Sequence, residues 1–273
     1  MTKLPELEKI KFFKYHGTGN DFIIIDNREQ KIIFSNEKAV SSLCDRRFGI
    51  GADGLILLEN SPTSDFRMIY YNSDGKEGSM CGNGGRCIVA FAAKLGIIKH
   101  TTTFDATDGL HEAMILEITS EKSEVSLKMQ DVANVEMNNH HYILNTGSPH
   151  YVVFADNIEK TDVVKEGRII RNSERFKSDG INVNFVSGKS GHLQIKTYER
   201  GVEDETWSCG TGSVAAALAF ELEGLALRGI PVEISTRGGS LKVSYKRHEN
   251  IFTDIQLIGP TILVYEGFID KTF

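Results

Sequence analysis

Two cysteines stand where a thiol can move a proton. Cys81 lies in YNSDGKEGSMCGNGGRC (71–87) and Cys209 in SCGTGSVAAALAFELEG (208–224). Each is followed by a Gly-rich turn and then by an apolar run of helical character, 87–95 after the first and 213–220 after the second. A thiol at such a helix start meets unpaired backbone N–H groups and the positive end of the helix dipole. That field is worth at most about 2 kcal/mol, or roughly 1.5 pK units, which brings a thiol from about 8.5 to near 7, the useful range for a general base. A thiolate is then a base and an intact thiol an acid. Two of them on opposite faces of one carbon can take a hydrogen from one side and return one to the other, which is racemisation or epimerisation without a cofactor. The carbanion on the way is unstable in water, so water must be excluded and a neighbouring carboxylate held by fixed donors. The Gly-rich N–H arrays at 82–84 and 210–212 can supply those donors, because glycine lets the backbone approach a ligand closely.

The same residues allow other readings. Cysteine at a helix start can be half of a redox pair, although that partner is usually in CxxC, and no CxxC is present. It can be a covalent nucleophile, which needs a neighbouring base, and no histidine is adjacent in sequence. It can also be structural.

The spacing between the two thiols, 128 positions, recurs along the chain. Thr18-Gly19-Asn20 and Thr146-Gly147-Ser148 are separated by it, as are Tyr70 and Tyr198, Gly82 and Gly210, Gly84 and Gly212, and Gly96 and Gly224. One unit is written twice, and two similar half-chains are expected. If they pack about a pseudo-two-fold axis, the two cysteine-bearing helix starts can face each other across a cleft.

The elements that must hold these residues follow from patterning. Residues 10–26 read as strand, Gly turn and strand, with Asn20 and Asp21 serving either turn chemistry or a site-lining loop. Residues 35–48 read as a helix capped by Ser35 or Asn36, with Cys44 buried and Arg46 and Arg47 complementing its C-terminal end. GIGADG (49–54) precedes a strand instead of following one, so a dinucleotide fingerprint is rejected. Residues 66–71 read as a strand and 72–75 as a turn, and Cys87 reads as core. Alternation at 101–129 gives several strands, and the polar stretch 134–141 reads as the crossover between halves. The second half repeats the order, with a helix near 162–173, strands at 180–186 and 193–198, a loop at 199–208, the Cys209 helix and closing strands after Pro231. The expected fold is α+β with two pseudo-symmetric domains, each a mostly antiparallel barrel-like sheet around a central helix, and the active site in the cleft between them. The expected division is 1–135, closed by the strand around 260–273, and 136–259.

Composition bounds the function. The 273 residues carry 40% hydrophobic and 25% charged side chains and a net charge of −6, with no long basic block. Nucleic-acid and anionic-membrane binding therefore have no electrostatic footprint. No apolar stretch suits a signal peptide or a membrane span, and four cysteines do not suggest a disulfide framework, so a cytoplasmic location is expected. The eight histidines show no ligand spacing, and no metal is expected.

Taken together, MCGNGGRC, YERGVEDETWSCGTGS, HGTGNDF, FGIGADGL, YYNSDG and NTGSPH resemble the diaminopimelate epimerase family over residues 12 to about 267. Proline racemases and phenazine-biosynthesis isomerases share that fold without usually carrying GNGGR together with YERG. The resemblance implies interconversion of LL- and meso-diaminopimelate, without cofactor or metal, in lysine and peptidoglycan precursor biosynthesis, by a cytoplasmic homodimer with a contact around Tyr265. It implies Cys81 and Cys209 as the acid/base pair, with His150 supporting catalysis. Gly82 and Asn83, with Gly210 and Thr211, would hold the reacting carboxylate, and Glu199 the reacting ammonium. Asn20 would line the site, while Asn72, Asn182 and Arg200 would read the distal amino-acid end. A bidentate arginine suits a carboxylate. The chain departs from the pattern at Ser148, where many members have Asn, and at Gly54, where some have Gln.

Overall fold

A computed structural model describes residues 9–34, 36–139 and 141–270. By contacts the chain divides into two units, Met1–Gly17 with Asp21–Val125 and Thr261–Phe273, and Thr18–Asn20 with Ser126–Pro260. This middle segment of the first unit ends at Val125, nine residues before the polar stretch, because Met129 and Val132 bond to Ile255 and Phe252 of the second unit.

The first unit contains β1 (Lys9–Gly17), β2 (Asn20–Asp26), α1 (Glu37–Cys44), β3 (Gly54–Glu59), β4 (Phe66–Asn72), β5 (Glu77–Gly78), α2 (Gly82–Lys94), β6 (Thr101–Ala106), β7 (Gly109–Ile118) and β8 (Lys122–Lys128). β2 runs parallel to β3 after the α1 crossover, β3 is antiparallel to β4, β4 parallel to β6 and β6 antiparallel to β7. β1 pairs with β2 and with residues 262–270, where the Leu263 N–H bonds to the Glu121 carbonyl just before β8, and the neighbouring Thr261 hydroxyl donates to the Ser123 carbonyl of β8. The strands close into a barrel-like sheet around α2, whose residues 87–92 are at most 3% exposed. Phe91 packs on Phe13 and Tyr15 of β1 with ring centroids 4.8 and 6.1 Å apart.

The second unit contains β9 (Val135–Asn138), β10 (His141–Asn145), β11 (Pro149–Phe154), α3 (Val163–Arg171), β12 (Asn182–Lys189), β13 (His192–Glu199), β14 (Asp204–Thr206), α4 (Gly210–Leu222), β15 (Val232–Thr236), β16 (Gly239–His248) and the first part of β17 (Ile251–Asp270). Its pairing repeats that of the first unit strand for strand. β11 is parallel to β12 across α3, β12 antiparallel to β13, β13 parallel to β15 and β15 antiparallel to β16. Val214 to Phe220 of α4 are all 0% exposed, so this helix is apolar on every face and surrounded by its sheet. The α+β expectation and the duplicated order of elements both hold.

α2 begins at Gly82, directly after Cys81, so the Gly-rich stretch is its first helical turn. Of the two expected caps of α1, Asn36 serves, its Oδ1 accepting from the Ala39 N–H at 3.1 Å, while Ser35 lies outside the described residues. Two local expectations are corrected. α1 ends at Cys44 because Asp45 is extended, so Arg46 does not complement the helix end and pairs instead with Asp21 and Asp53. The polar stretch 134–141 is not a bare crossover; β9 and β10 form an antiparallel pair there, with His140 outside the described residues.

Candidate active site

Cys209 is the residue before α4, in extended backbone, and is 9% exposed. Its Sγ accepts the Gly212 N–H at 3.4 Å and lies 3.5 Å from the Thr211 hydroxyl. A Cβ on Gly212 would stand 2.5 Å from Asn184 Oδ1 and 3.3 Å from that sulfur, so only glycine brings the N–H this close. Thr146 of the preceding turn donates to the Thr211 carbonyl at 2.8 Å and fixes the start of the helix.

His150 of β11 is fully buried behind Thr211. Its Nε2 is 2.9 Å from Thr211 Oγ1 and its Nδ1 is 3.0 Å from Asn184 Nδ2. The polarity of this chain follows from Asn184, whose Nδ2 also donates to the Tyr151 carbonyl and whose Oδ1 accepts from the Thr197 hydroxyl. Nδ1 of His150 therefore accepts, Nε2–H donates to the Thr211 oxygen, and the Thr211 hydrogen is left for another acceptor, with the Cys209 sulfur in reach. Burial, helped by the Arg200 charge, pushes the His150 pKa down to about 3. His150 is thus a neutral donor at physiological pH and positions Thr211 instead of titrating.

A second cluster lies one strand over, where the β11–β12 register sets His150 beside Asn182. Asn182 Nδ2 donates to Ser148 Oγ at 2.8 Å and to the Pro149 carbonyl, and its Oδ1 accepts the Arg200 N–H at 2.9 Å. Ser148 thus keeps a contact despite its short side chain. The Arg200 guanidinium donates to the Asp179 carbonyl at 2.9 Å and is otherwise exposed. Glu199 is the last residue of β13, half-buried, directly before it. Thr18–Asn20 also belongs to this unit: Thr18 donates to Ser208 Oγ at 2.8 Å, next to Cys209, and Gly238 packs against the Thr18 carbonyl with no room for a Cβ.

In the first unit Cys81 precedes α2 in extended backbone and is partly exposed, with Gly82 and Asn83 buried in the first turn. A Cβ on Gly84 would lie 3.2 Å from Ile56 and 3.3 Å from Met68, so glycine seats the helix start on β3 and β4. Arg86, fully buried, donates to the Gly82 carbonyl at 3.1 Å and to Asn83 Oδ1 at 3.0 Å. Asn72 is exposed at the end of β4, in the turn closed by its own N–H to the Lys76 carbonyl. Gly54 faces Tyr70, which a Cβ would approach to 2.5 Å, so no side chain fits at this position.

Each unit thus gathers its own residues. Cys209, Gly210, Thr211 and His150 form one group in the second unit, and Asn182, Arg200 and Ser148 a neighbouring one; Cys81, Gly82 and Asn83 form the group in the first. Sequence reasoning missed Thr146, Asn184 and Thr197, and gave Arg86 no role. A signal existed for Asn184: in INVNFV it shares a period-two face with Asn182 on an otherwise apolar strand.

An ion cluster holds the loop 45–53 beside Asp21. Lys14 lies 2.7 Å from Asp21 and donates to the Gly51 carbonyl, while Arg46 reaches both Asp21 and Asp53. Burial alone would raise the Asp21 pKa, but Arg46 and Lys14 hold it well below the usual carboxylate range. A carboxylate depressed in the folded state contributes stability that is complete above its unfolded pKa and lost as pH falls below it. Melting temperature should therefore fall more steeply below about pH 4 in the parent chain than in Asp21→Asn; parallel curves would contradict this.

Among the described residues no helix is long and apolar enough to cross a membrane. The family model described as diaminopimelate epimerase matches residues 12–135 and 142–260. The chain is 53% identical over 261 residues to the diaminopimelate epimerase of Flavobacterium psychrophilum, covering 95% of this chain and 100% of the relative. It is 45% identical to that of Chlorobaculum tepidum, covering 93% and 98%. Among solved structures, a Bacillus anthracis phenazine biosynthesis protein of the PhzF family superposes with a TM-score of 0.73 at 13% identity, over 96% of this chain and 99% of that one. A hydroxyproline epimerase from Agrobacterium vitis, with bound trans-4-hydroxy-L-proline, superposes with a TM-score of 0.70 at 12% identity, over 97% and 93%. At these identities the two structures show the shared fold alone.

Proposed function

The chain belongs to the diaminopimelate epimerase family and is an isomerase that epimerises diaminopimelate, a step of lysine biosynthesis, and we propose that it does so with two thiols and no cofactor. The reading places Cys81 and Cys209 on opposite faces of the reacting carbon of LL- or meso-diaminopimelate. The observation that carries it is the duplication itself: each unit sets one cysteine immediately before a buried helix whose first turn is glycine-rich.

One sulfur, as thiolate, takes the Cα hydrogen, and the other gives its S–H hydrogen to the opposite face. Net proton count is unchanged, and the two sulfurs exchange protonation states. Negative charge flows from Cα into the carboxylate, which the first-turn N–H groups at Gly82-Asn83 and Gly210-Thr211 receive. Glu199 takes the reacting ammonium and Asn20 lines the site. His150, held neutral, keeps Thr211 aimed and adds no competing base. Asn182 and Arg200, already joined by a hydrogen bond, read the distal amino-acid end together with Asn72. A cytoplasmic homodimer, with Tyr265 in the contact, completes the proposal. It rests on the family resemblance and on the exposure of Val264, Tyr265 and Phe268.

The test is substrate range. Purified protein should interconvert LL- and meso-diaminopimelate and leave proline and single-headed 2-amino acids unchanged, and Arg200→Met should raise KM far more than it lowers kcat. Turnover of single-headed substrates at comparable rates, indifferent to Arg200, would replace this reading with a general two-thiol racemase.

A further inference from the structure

Each cysteine is preceded by a short strand, β5 before Cys81 and β14 before Cys209, and in each unit a hairpin loop grips the chain between strand and cysteine. The β6–β7 ladder closes at Ala106 and Gly109 and leaves the two-residue loop Thr107-Asp108. The β15–β16 ladder closes at Thr236 and Gly239 and leaves Arg237-Gly238. The glycine after each loop has positive φ, 124° at Gly109 and 139° at Gly239, so the two loops hold equivalent places in the duplicated unit.

Both residues of each loop bind the segment that enters the cysteine. Thr107 donates to Glu77 Oε1 at 2.8 Å, and the Met80 N–H, one residue before Cys81, donates to Asp108 Oδ1 at 3.0 Å. Burial would raise the Asp108 pKa, but the bonds from His111 and the Met80 N–H hold it below the ordinary carboxylate value, so the acceptor is charged. His111 Nε2 lies 3.3 Å from the same oxygen, and its ring stacks on buried Phe104 with centroids 5.3 Å apart, which anchors the loop on β6. In the second unit other groups make the grip. The Gly238 N–H donates to the Trp207 carbonyl at 2.8 Å, two residues before Cys209, and the Arg237 guanidinium lies 4.1 Å from the centre of the Trp207 ring.

Each cysteine stands in extended backbone as the last residue before its helix. From the helix side, the Gly85 and Ser213 N–H groups fix the carbonyls of Cys81 and Cys209. The direction of each Cα–Cβ bond depends equally on the chain arriving from the other side, and that is the chain the loops hold. The two copies have diverged at these positions, Thr and Asp against Arg and Gly, yet the grip persists with different chemistry.

We propose that the two loops are clasps that aim the thiols, with Asp108 as the positioning residue for Cys81 and Arg237 as that for Cys209. This rests on the two-thiol reading and adds the groups that set where the sulfurs stand. A reacting group misplaced by about 1 Å can cost about 10²-fold in rate, so the clasps act on the chemical step and leave substrate affinity alone.

The test is steady-state kinetics on full-length variants, with folding followed by circular dichroism. Asp108→Ala should lower kcat for diaminopimelate epimerisation about tenfold or more with KM nearly unchanged. Asp108→Asn, whose Oδ1 still accepts the Met80 N–H, should restore most of the loss. Arg237→Met should shift the emission of Trp207, the one tryptophan in the chain, and lower kcat about two- to fivefold, the equivalent of an exposed cation–π contact. Arg237→Lys should keep both the emission and most of the rate. A folded Asp108→Ala chain with parental kcat overturns the proposal. So does an Asp108→Asn chain as slow as Asp108→Ala, because charge and not the hold on Met80 would then be the active feature. A rise in KM at constant kcat also overturns it, by placing these residues against substrate. If Asp108→Ala does not fold, the Arg237 variants decide, and shifted Trp207 emission with parental kcat overturns the proposal. Failure of the two-thiol reading shows differently, as turnover that survives the loss of Cys81 or Cys209.

Discussion

Cys81→Ala and Cys209→Ala should each lower kcat for diaminopimelate epimerisation by about 10²–10⁴, the range for a positioned acid or base, with KM nearly unchanged. The two losses should not add, because a proton taken from one face without delivery to the other makes no product. The double variant should therefore be about as inactive as either single one. Neither change should disturb folding, since the helix starts are fixed by other groups. Ser213 Oγ and its N–H both bond to the Cys209 carbonyl, and the Gly85 N–H bonds to the Cys81 carbonyl. A single alanine variant retaining more than about a tenth of parental kcat would remove that cysteine from the reaction.

The largest effect on stability is expected for Phe220→Ala. Phe220 is 0% exposed near the end of α4, a helix enclosed by its sheet on every side. Its surroundings cannot collapse into the space left behind, so the loss should reach about 3–5 kcal/mol, the upper part of the range for core truncations. Denaturant unfolding with an unchanged slope and a lower midpoint would report it directly. A loss under about 1 kcal/mol would mean that α4 is not enclosed as described. The same change should leave the chemistry of the folded fraction intact, because Phe220 lies at the far end of the helix from Cys209.

Much of the architecture was legible because the duplication is written in residues that answer to local rules. Gly and Asn mark the tight turn at Thr18-Gly19, where both residues have positive φ, as a two-residue hairpin loop requires. The apolar run 213–220 leaves a helix no polar face, which already implied enclosure. The first turn of α2 reads as a tight turn because Gly82, Asn83, Gly84 and Gly85 are poor helix formers. Close seating against Ile56 and Met68 overrides that preference, and no local pattern reports such a contact. Arg46 illustrates the same limit: near the end of a helical pattern it reads as a capping charge, yet the carboxylates of Asp53 in its own loop and Asp21 of β2 claim it.

The candidate site divides in the same way. Cys81 and Cys209 stood out because two unusual residues recur at one spacing. The polar chain Asn184–His150–Thr211 did not, because its members are 34 and 61 residues apart and meet through strand register and a helix start. Arg86 was visible in the motif, but its part in the first turn of α2 rests on complete burial and on its bonds to Gly82 and Asn83. Departures from family pattern were read from the chain alone, and packing explains one of them: Tyr70 occupies the space that any side chain at position 54 would need.

The central claim is that two sulfurs, one from each copy of the duplicated unit, pass a hydrogen through one carbon. The most direct measurement is the isotope at Cα when LL-diaminopimelate is turned over in D2O and sampled at low conversion. The account predicts that the meso product carries solvent deuterium while the recovered LL substrate keeps its protium, since the delivering sulfur has equilibrated with solvent and the accepting one acts on the other face. Product that retains the substrate's own hydrogen, or deuterium entering substrate and product equally from the start, would mean that a single base serves both faces, and would contradict it.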